Sequence, residues 1–233
     1  MPPYIRPKHL KELKTNHWIS IPNFLPEDLC QKLRDDLKSL RSQNKFDVAR
    51  IGHDGNQIQD AKTPFRDIRR SESCFIGRLP SSQVVESAVK LELTESEARN
   101  ELYGILDDLR EDLDAAESEE GNGKLTLDAE LLELMYVYYP NGGYYRRHCD
   151  SENSSECISN VREWSFILYL NPDWCQRQGG CLRIHQDSHD AEPSDGTRLP
   201  NYFDIEPKSG TLVLFRSKAV PHEVLVNRLD SII

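Results

Sequence analysis

The second half of the chain, from residue 125 onward, consists of short β-rich segments separated by turn residues. The segments lie at 131–139, 164–170, 181–184 and 211–215. Valine, isoleucine and aromatic residues favour extended chain, and turn signals such as Pro140-Asn-Gly-Gly and Asn171-Pro-Asp stand between the segments. Short strands with regular turns predict a sandwich or a jelly-roll barrel rather than a parallel sheet.

The first half is expected to support this β-rich part with helices and a short strand at 18–24. Leucines recur at helical spacing within 25–40 and predict an amphipathic helix. A second helix is predicted from Thr94, where Thr-Glu-Ser-Glu resembles a capping box. The sequence therefore predicts an α+β chain of 233 residues, with a support region at 1–123 and a β-rich core at 124–233.

Three side chains in the β-rich half form a candidate metal site. His148 and Asp150 are two residues apart, so they project to the same face of an extended chain, while Cys149 projects to the other. His222 follows the strand predicted at 211–215. Two histidines and one carboxylate are the ligand set of non-haem Fe(II) oxygenases, which leave coordination positions open for cosubstrate and oxygen. A histidine and an aspartate at this spacing more often mark only a polar loop, so the surrounding motifs decide the interpretation.

Ordered motifs around these residues closely resemble the prolyl 4-hydroxylase branch of the 2-oxoglutarate oxygenases, over about residues 131–226. The motifs are Tyr138-Tyr-Pro-Asn-Gly-Gly-Tyr, Phe166-Ile-Leu-Tyr-Leu-Asn-Pro-Asp-Trp, Gly179-Gly-Cys-Leu-Arg-Ile, Ile205-Glu-Pro-Lys-Ser-Gly-Thr-Leu-Val-Leu-Phe and Val220-Pro-His-Glu-Val-Leu. The front half adds a weaker similarity in Ile68-Arg-Arg-Ser-Glu. Among this family, the chain is most similar to the cytosolic oxygen-sensing prolyl hydroxylases.

The resemblance implies a double-stranded β-helix (jelly-roll) core that binds Fe(II), 2-oxoglutarate and O2, with ascorbate as reductant. It also implies hydroxylation of a peptidyl proline, with succinate and CO2 as coproducts. His148, Asp150 and His222 match the family's metal ligands.

Tyr139 and Tyr169 match tyrosines that line the cosubstrate pocket of the family, and Leu182 and Arg228 are further candidates for this pocket. Tyr169 would bond the distal carboxylate of 2-oxoglutarate, and Leu182 would pack on its chain. Ordinary core packing is an alternative for both tyrosines. Family members carry a cation nine or ten residues beyond the distal histidine, where this chain has Ser231 and Ile232. Arg228 comes early for that role, so either the final strand is incomplete or another cation serves.

Charge and composition restrict the partners. The formal net charge of -10 argues against nucleic acid, whose phosphates need a basic surface. The chain has no run of about 18 apolar residues, so no membrane span is expected. Six cysteines without zinc spacing or a secretory signal are expected to be reduced thiols in the cytosol or nucleus.

Other functions remain open at this point. The same cofactors could act on another residue type or a small molecule, because substrate choice resides in loops, here predicted at 50–63 and 185–199. A non-catalytic barrel that binds a protein partner is a further alternative, suggested by the absent cation. A zinc hydrolase is disfavoured because nothing resembles a dedicated general base.

Overall fold

The computed structural model describes residues 3–49, 68–77, 95–118, 127–129, 132–151, 162–186 and 201–232. The predicted loop at 50–63 and nearly all of the loop at 185–199 lie outside these residues. The same holds for Thr94, so the predicted capping box is not described.

The described residues form three α-helices and twelve strands. The helices are α1 (Pro7–Asn16), α2 (Glu27–Ser42) and α3 (Glu97–Ser118), with a short 3-10 helix at Gln176–Gln178. The strands are β1 (Trp18–Ile21), β2 (Asp47–Val48), β3 (Arg69–Arg70), β4 (Glu72–Phe75), β5 (Met135–Tyr139), β6 (Tyr144–His148), β7 (Trp164–Leu168), β8 (Leu182–His185), β9 (Tyr202–Ile205), β10 (Leu212–Arg216), β11 (His222–Val224) and β12 (Ser231–Ile232). At the start of α3, the Ser96 hydroxyl accepts a hydrogen bond from the Arg99 backbone N–H at 3.4 Å.

Every pairing between these strands is antiparallel. The sheets have the orders β1-β10-β7, β3-β6-β11-β8-β9 and β12-β5-β4-β2. Antiparallel sheets with a few helices confirm the predicted α+β class. Strands from the first half of the chain pair with strands of the second half in all three sheets, as β1 does with β10. The division of the chain at residue 123 stays a prediction.

The central strand β10 separates two hydrophobic clusters. Leu212 and Leu214 belong to the larger cluster, which contains the buried leucines of α2 and α3. Val213 and Phe215 alternate with them and belong to the smaller cluster, away from these helices. A strand that is buried on both faces has an uninterrupted run of apolar residues, whereas a strand with one exposed face alternates apolar and polar residues. Residues 212–215 of β10 form such an uninterrupted apolar run.

Polar contacts attach the helices to the sheets. Arg34 of α2 is buried and donates to the Leu170 carbonyl at 3.3 Å and to the Ser209 hydroxyl at 3.0 Å. In the same layer, the Asp36 carboxylate accepts from the Tyr136 hydroxyl at 3.0 Å and pairs with Arg99 at 3.0 Å. These contacts attach β5 and the segments next to β7 and β10 to the helical layer. No helix of the described part is long and apolar enough to cross a membrane.

Candidate metal centre

The three predicted metal ligands meet at one point of the five-stranded sheet. His148 ends β6 and His222 begins β11, and the two residues are direct partners in the antiparallel register. Asp150 follows β6, and its Oδ1 lies 3.3 Å from His148 Nε2 and 3.7 Å from His222 Nε2. The ligand atoms of all three lie within 4.8 Å of one another. One divalent ion could contact all three.

Both imidazoles are held with the same nitrogen facing the centre. His148 Nδ1 lies 2.8 Å from the Arg146 carbonyl, and His222 Nδ1 lies 2.9 Å from the Val220 carbonyl. A carbonyl oxygen only accepts, so each Nδ1 carries a proton, and in the neutral imidazole the lone pair of Nε2 is then directed at the centre. This arrangement is typical of metal-binding histidines.

An irregularity in the sheet helps to build the centre. His222 is opposite His148, whereas Val224 is opposite Tyr145, so β6 carries one extra residue and forms a bulge. The bulge brings Tyr145 to the same side as His148, and the two rings stack at 3.6 Å. Phe215 packs edge-on against His222 at 4.6 Å. Aromatic rings therefore restrict both imidazoles.

The electrostatics favour the protonation states that bind a cation. Burial lowers the pKa of His222 despite the nearby Asp150 carboxylate, so the neutral imidazole is favoured. Burial would raise the pKa of Asp150, but the neighbouring His148, His222 and Ser165 side chains oppose this effect and hold it below its ordinary value. These shifts favour a neutral His222 imidazole beside an ionised Asp150 carboxylate.

Tyr139, Tyr169 and Leu182 meet in the smaller hydrophobic cluster, beside β10. Tyr169 is 0% exposed, and its hydroxyl has no hydrogen-bond partner among the described residues. Burial raises its pKa well above the ordinary value, and the charges of Tyr139 and Cys181 add to the effect. A buried hydroxyl without a partner costs free energy unless a ligand satisfies it. The group fits an anionic cosubstrate, to which it can donate.

The hydroxyl of Tyr139 is also buried, but it has a cation beside it. Burial raises the pKa of Tyr139 to about 12, and Arg69 opposes the shift by its charge and by a hydrogen bond. The Arg69 guanidinium also lies 4.6 Å from the centre of the Tyr145 ring. Arg69 therefore brings a positive charge to this side of the site.

Arg228, the fourth residue predicted to bind the cosubstrate, is not a member of the hydrophobic cluster that contains Tyr139, Tyr169 and Leu182. Its side chain is exposed, and its backbone N–H donates to the Gln178 carbonyl at 2.8 Å. The structure does not bring it to the buried hydroxyl of Tyr169. At the position where the family carries its cation, Ser231 of β12 is the backbone partner of Tyr139.

The sequence did not single out three side chains that surround the centre. Arg69 lies on the edge strand β3, Ser165 helps to lower the pKa of Asp150, and Arg162 donates to the Asp150 carbonyl at 3.1 Å. Of the three, Arg69 lies in Ile68-Arg-Arg-Ser-Glu, the stretch with the weaker family similarity, so a signal was available for it. No feature of a single sequence would have identified Ser165 or Arg162 as part of the site.

Residues 134–230 match the family model of the 2OG-Fe(II) oxygenase superfamily. This segment contains all three candidate ligands and both buried tyrosines.

Solved structures of prolyl hydroxylases are similar over nearly the whole chain. A Pseudomonas putida prolyl-4-hydroxylase is 27% identical, with 96% of this chain and 92% of that chain covered and a TM-score of 0.64. A Trichoplax adhaerens prolyl hydroxylase, solved in complex with a peptide fragment of the hypoxia inducible factor oxygen degradation domain, is 22% identical, with 96% and 83% covered and a TM-score of 0.64. The carbocyclase SnoK from nogalamycin biosynthesis, which is α-ketoglutarate dependent, shares the fold at 10% identity, with 97% and 81% covered and a TM-score of 0.56.

Proposed function

We propose that this chain, a member of the 2OG-Fe(II) oxygenase superfamily, is a prolyl hydroxylase that acts on proline in a peptide or protein and forms succinate and CO2 as coproducts. The observation that carries the proposal is the meeting of His148, Asp150 and His222 with both Nε2 atoms directed at Asp150 Oδ1. The similarity to the Pseudomonas putida enzyme supports proline as the substrate residue. The peptide bound to the Trichoplax adhaerens enzyme supports a peptide substrate.

The donor set fits iron. Two neutral imidazoles and one carboxylate on one side of an ion leave the remaining positions free, and this set suits Fe(II). When bound, iron and 2-oxoglutarate supply the oxidising chemistry that converts a C–H bond into C–OH. His148, Asp150 and His222 would hold the metal.

The tyrosines and Leu182 would hold the cosubstrate. The unpartnered hydroxyl of Tyr169 would donate to a carboxylate of 2-oxoglutarate, and the buried side chain of Leu182 would pack against its methylene groups. Arg69 would contribute a positive charge beside Tyr139. Water would be excluded from the reacting groups by the buried apolar side chains of the smaller hydrophobic cluster, such as Val213 and Phe215.

The similarity to these oxygenases also supports the finer features of the proposal. We propose that the antiparallel sheets form a double-stranded β-helix core supported by the N-terminal helices, and that ascorbate serves as reductant.

We also propose that the protein works in the cytosol or nucleus, where thiols stay reduced. The five described cysteines are free thiols, which is consistent with such a compartment.

Mass spectrometry of proline-containing peptides tests the proposal. The full chain with Fe(II), 2-oxoglutarate and ascorbate should add the mass of one oxygen atom to a proline residue and release succinate. The Asp150→Ala variant should do neither. Turnover of 2-oxoglutarate without oxygen on any proline, or with oxygen on another residue type, would contradict a prolyl substrate.

A further inference from the structure

An exposed aromatic side chain lies in line with the two candidate ligand histidines across the five-stranded sheet. His148 is the register partner of His222. Ile184 is opposite His222 on the other side, and Phe203 is opposite Ile184. Residues directly opposite each other on antiparallel strands project to the same face of a sheet. Phe203 therefore lies on the face that carries the candidate metal ligands.

The three-stranded sheet places aromatic rings against both ends of this line. Trp18 of β1 is the register partner of Phe215 of β10. The centre of the Phe215 ring lies 4.6 Å from that of His222, and the centre of the Trp18 ring lies 5.6 Å from that of Phe203. One contact is thus beside a candidate metal ligand, and the other is at the edge strands β1 and β9.

Phe203 is accessible from outside the protein. It lies on the edge strand β9 and is 47% exposed. Its neighbour Tyr202 projects to the opposite face of the sheet, where the Arg183 guanidinium lies 3.7 Å from the centre of its ring. Of these two aromatic residues, Phe203 is therefore the one with apolar surface on the metal-binding face.

The spacing of strands gives the distance between Phe203 and the candidate metal centre. Neighbouring strands lie about 4.8 Å apart, so Phe203 on β9 is two strands, or about 10 Å, from His222 on β11. An extended peptide covers about 3.3 Å per residue. A peptide whose proline lies at the metal would reach Phe203 with a residue about three positions from that proline.

We infer that Phe203, with Trp18 beside it, is a specificity-determining contact for the peptide substrate and favours an apolar side chain about three residues from the target proline. This inference rests on the proposed function. An apolar side chain that covers the exposed ring removes apolar surface of both partners from water, whereas a charged side chain does not. The contact is remote from the reacting carbon, so it should lower KM and leave kcat unchanged.

Synthetic peptides with a single proline test the inference. One leucine is moved through the positions on either side of the proline in a background of glycine and serine. Both kcat and KM for proline hydroxylation are measured with the full chain, Fe(II) and 2-oxoglutarate. With leucine about three residues from the proline, KM should be about 10-fold lower than for the peptide without leucine, since this is the smaller effect that an apolar group has in an enzyme site.

Phe203→Ser should abolish this preference, whereas Phe203→Leu should keep most of it because leucine retains apolar surface. Phe75→Ser is the matched control, because Phe75 is also a strand phenylalanine, is 39% exposed and belongs to the sheet β12-β5-β4-β2, which contains none of the candidate metal ligands. This control should keep the wild-type preference. Urea unfolding of each variant gives its folded fraction.

A leucine preference that persists in folded Phe203→Ser, or that is lost equally in Phe75→Ser, would overturn the inference. Proline hydroxylation by the wild-type chain with a KM independent of the leucine position would also overturn it, while the proposed function would stand. Turnover of 2-oxoglutarate without hydroxylation of any peptide would overturn both.

Discussion

Replacement of Tyr169 by phenylalanine should have opposite effects on stability and on cosubstrate binding. The change removes one hydroxyl and keeps the ring in place. In the absence of 2-oxoglutarate that hydroxyl is fully buried and has no partner among the described residues. In the proposed complex it would donate to a carboxylate.

The expected changes in stability and in affinity depend on whether the Tyr169 hydroxyl is unpaired, as without 2-oxoglutarate, or hydrogen-bonded, as in the proposed complex. An unpaired buried polar group costs about 1–3 kcal/mol, so phenylalanine should recover a stabilisation of that order. Each kcal/mol raises Tm by about 2–4 °C for a chain of this size. A hydrogen bond to a charged group is worth about 1.5–3 kcal/mol, so the Kd of 2-oxoglutarate should rise about 10- to 150-fold.

Urea unfolding without cosubstrate measures the first effect, and calorimetric titration of the Mn(II)-loaded protein with 2-oxoglutarate measures the second. Tyr136→Phe is the matched control, because the buried Tyr136 hydroxyl donates to the Asp36 carboxylate at 3.0 Å, outside the proposed cosubstrate pocket. That variant should lose about 1.5–3 kcal/mol of stability and bind 2-oxoglutarate normally. A Tyr169→Phe variant that is less stable than wild type and binds 2-oxoglutarate normally would refute the reasoning.

Three further predictions concern the framework around the site. Asp36→Ala should lower the free energy of unfolding by about 1–3 kcal/mol in a urea titration, because it removes the carboxylate that accepts from the buried Tyr136 hydroxyl and pairs with Arg99. An unchanged free energy of unfolding would contradict this. Gly104→Ala should raise stability by about 0.5–1 kcal/mol in thermal unfolding, since the glycine lies within α3 and an added Cβ meets no atom within 4 Å; an unchanged or lower Tm would count against it. Gly180→Ala should be destabilising in the same assay, because its φ is +74° and the added Cβ would collide with a neighbouring side-chain amide oxygen; a higher Tm would be inconsistent with that geometry.

Elements with strong periodicity were predictable from the sequence. The leucines of the segment 25–40 predicted α2, which spans Glu27–Ser42, and the apolar run at 211–215 predicted β10, which spans Leu212–Arg216. The strand predicted at 164–170 corresponds to β7 and ends two residues earlier. Burial of one or both faces leaves a regular pattern in such segments.

The elements that complete the site were not predictable in the same way. The two-residue strand β3 is too short to show a period, and its pairing with β6 brings Arg69 to Tyr145 across 76 positions of the chain. Extended chain was expected to continue through Asp150, but β6 ends at His148. The reason is local, because the Asp150 N–H turns away from the sheet partner and bonds the Ser217 carbonyl.

The central claim is that this chain holds iron and 2-oxoglutarate together. The most direct measurement is anaerobic addition of Fe(II) and then 2-oxoglutarate to the full chain, followed by visible absorption spectroscopy. The account predicts a metal-to-ligand charge-transfer band that is lost in His148→Ala and in His222→Ala. Iron binding without such a band in the wild-type chain would contradict it, and would favour a barrel that cannot seat the cosubstrate.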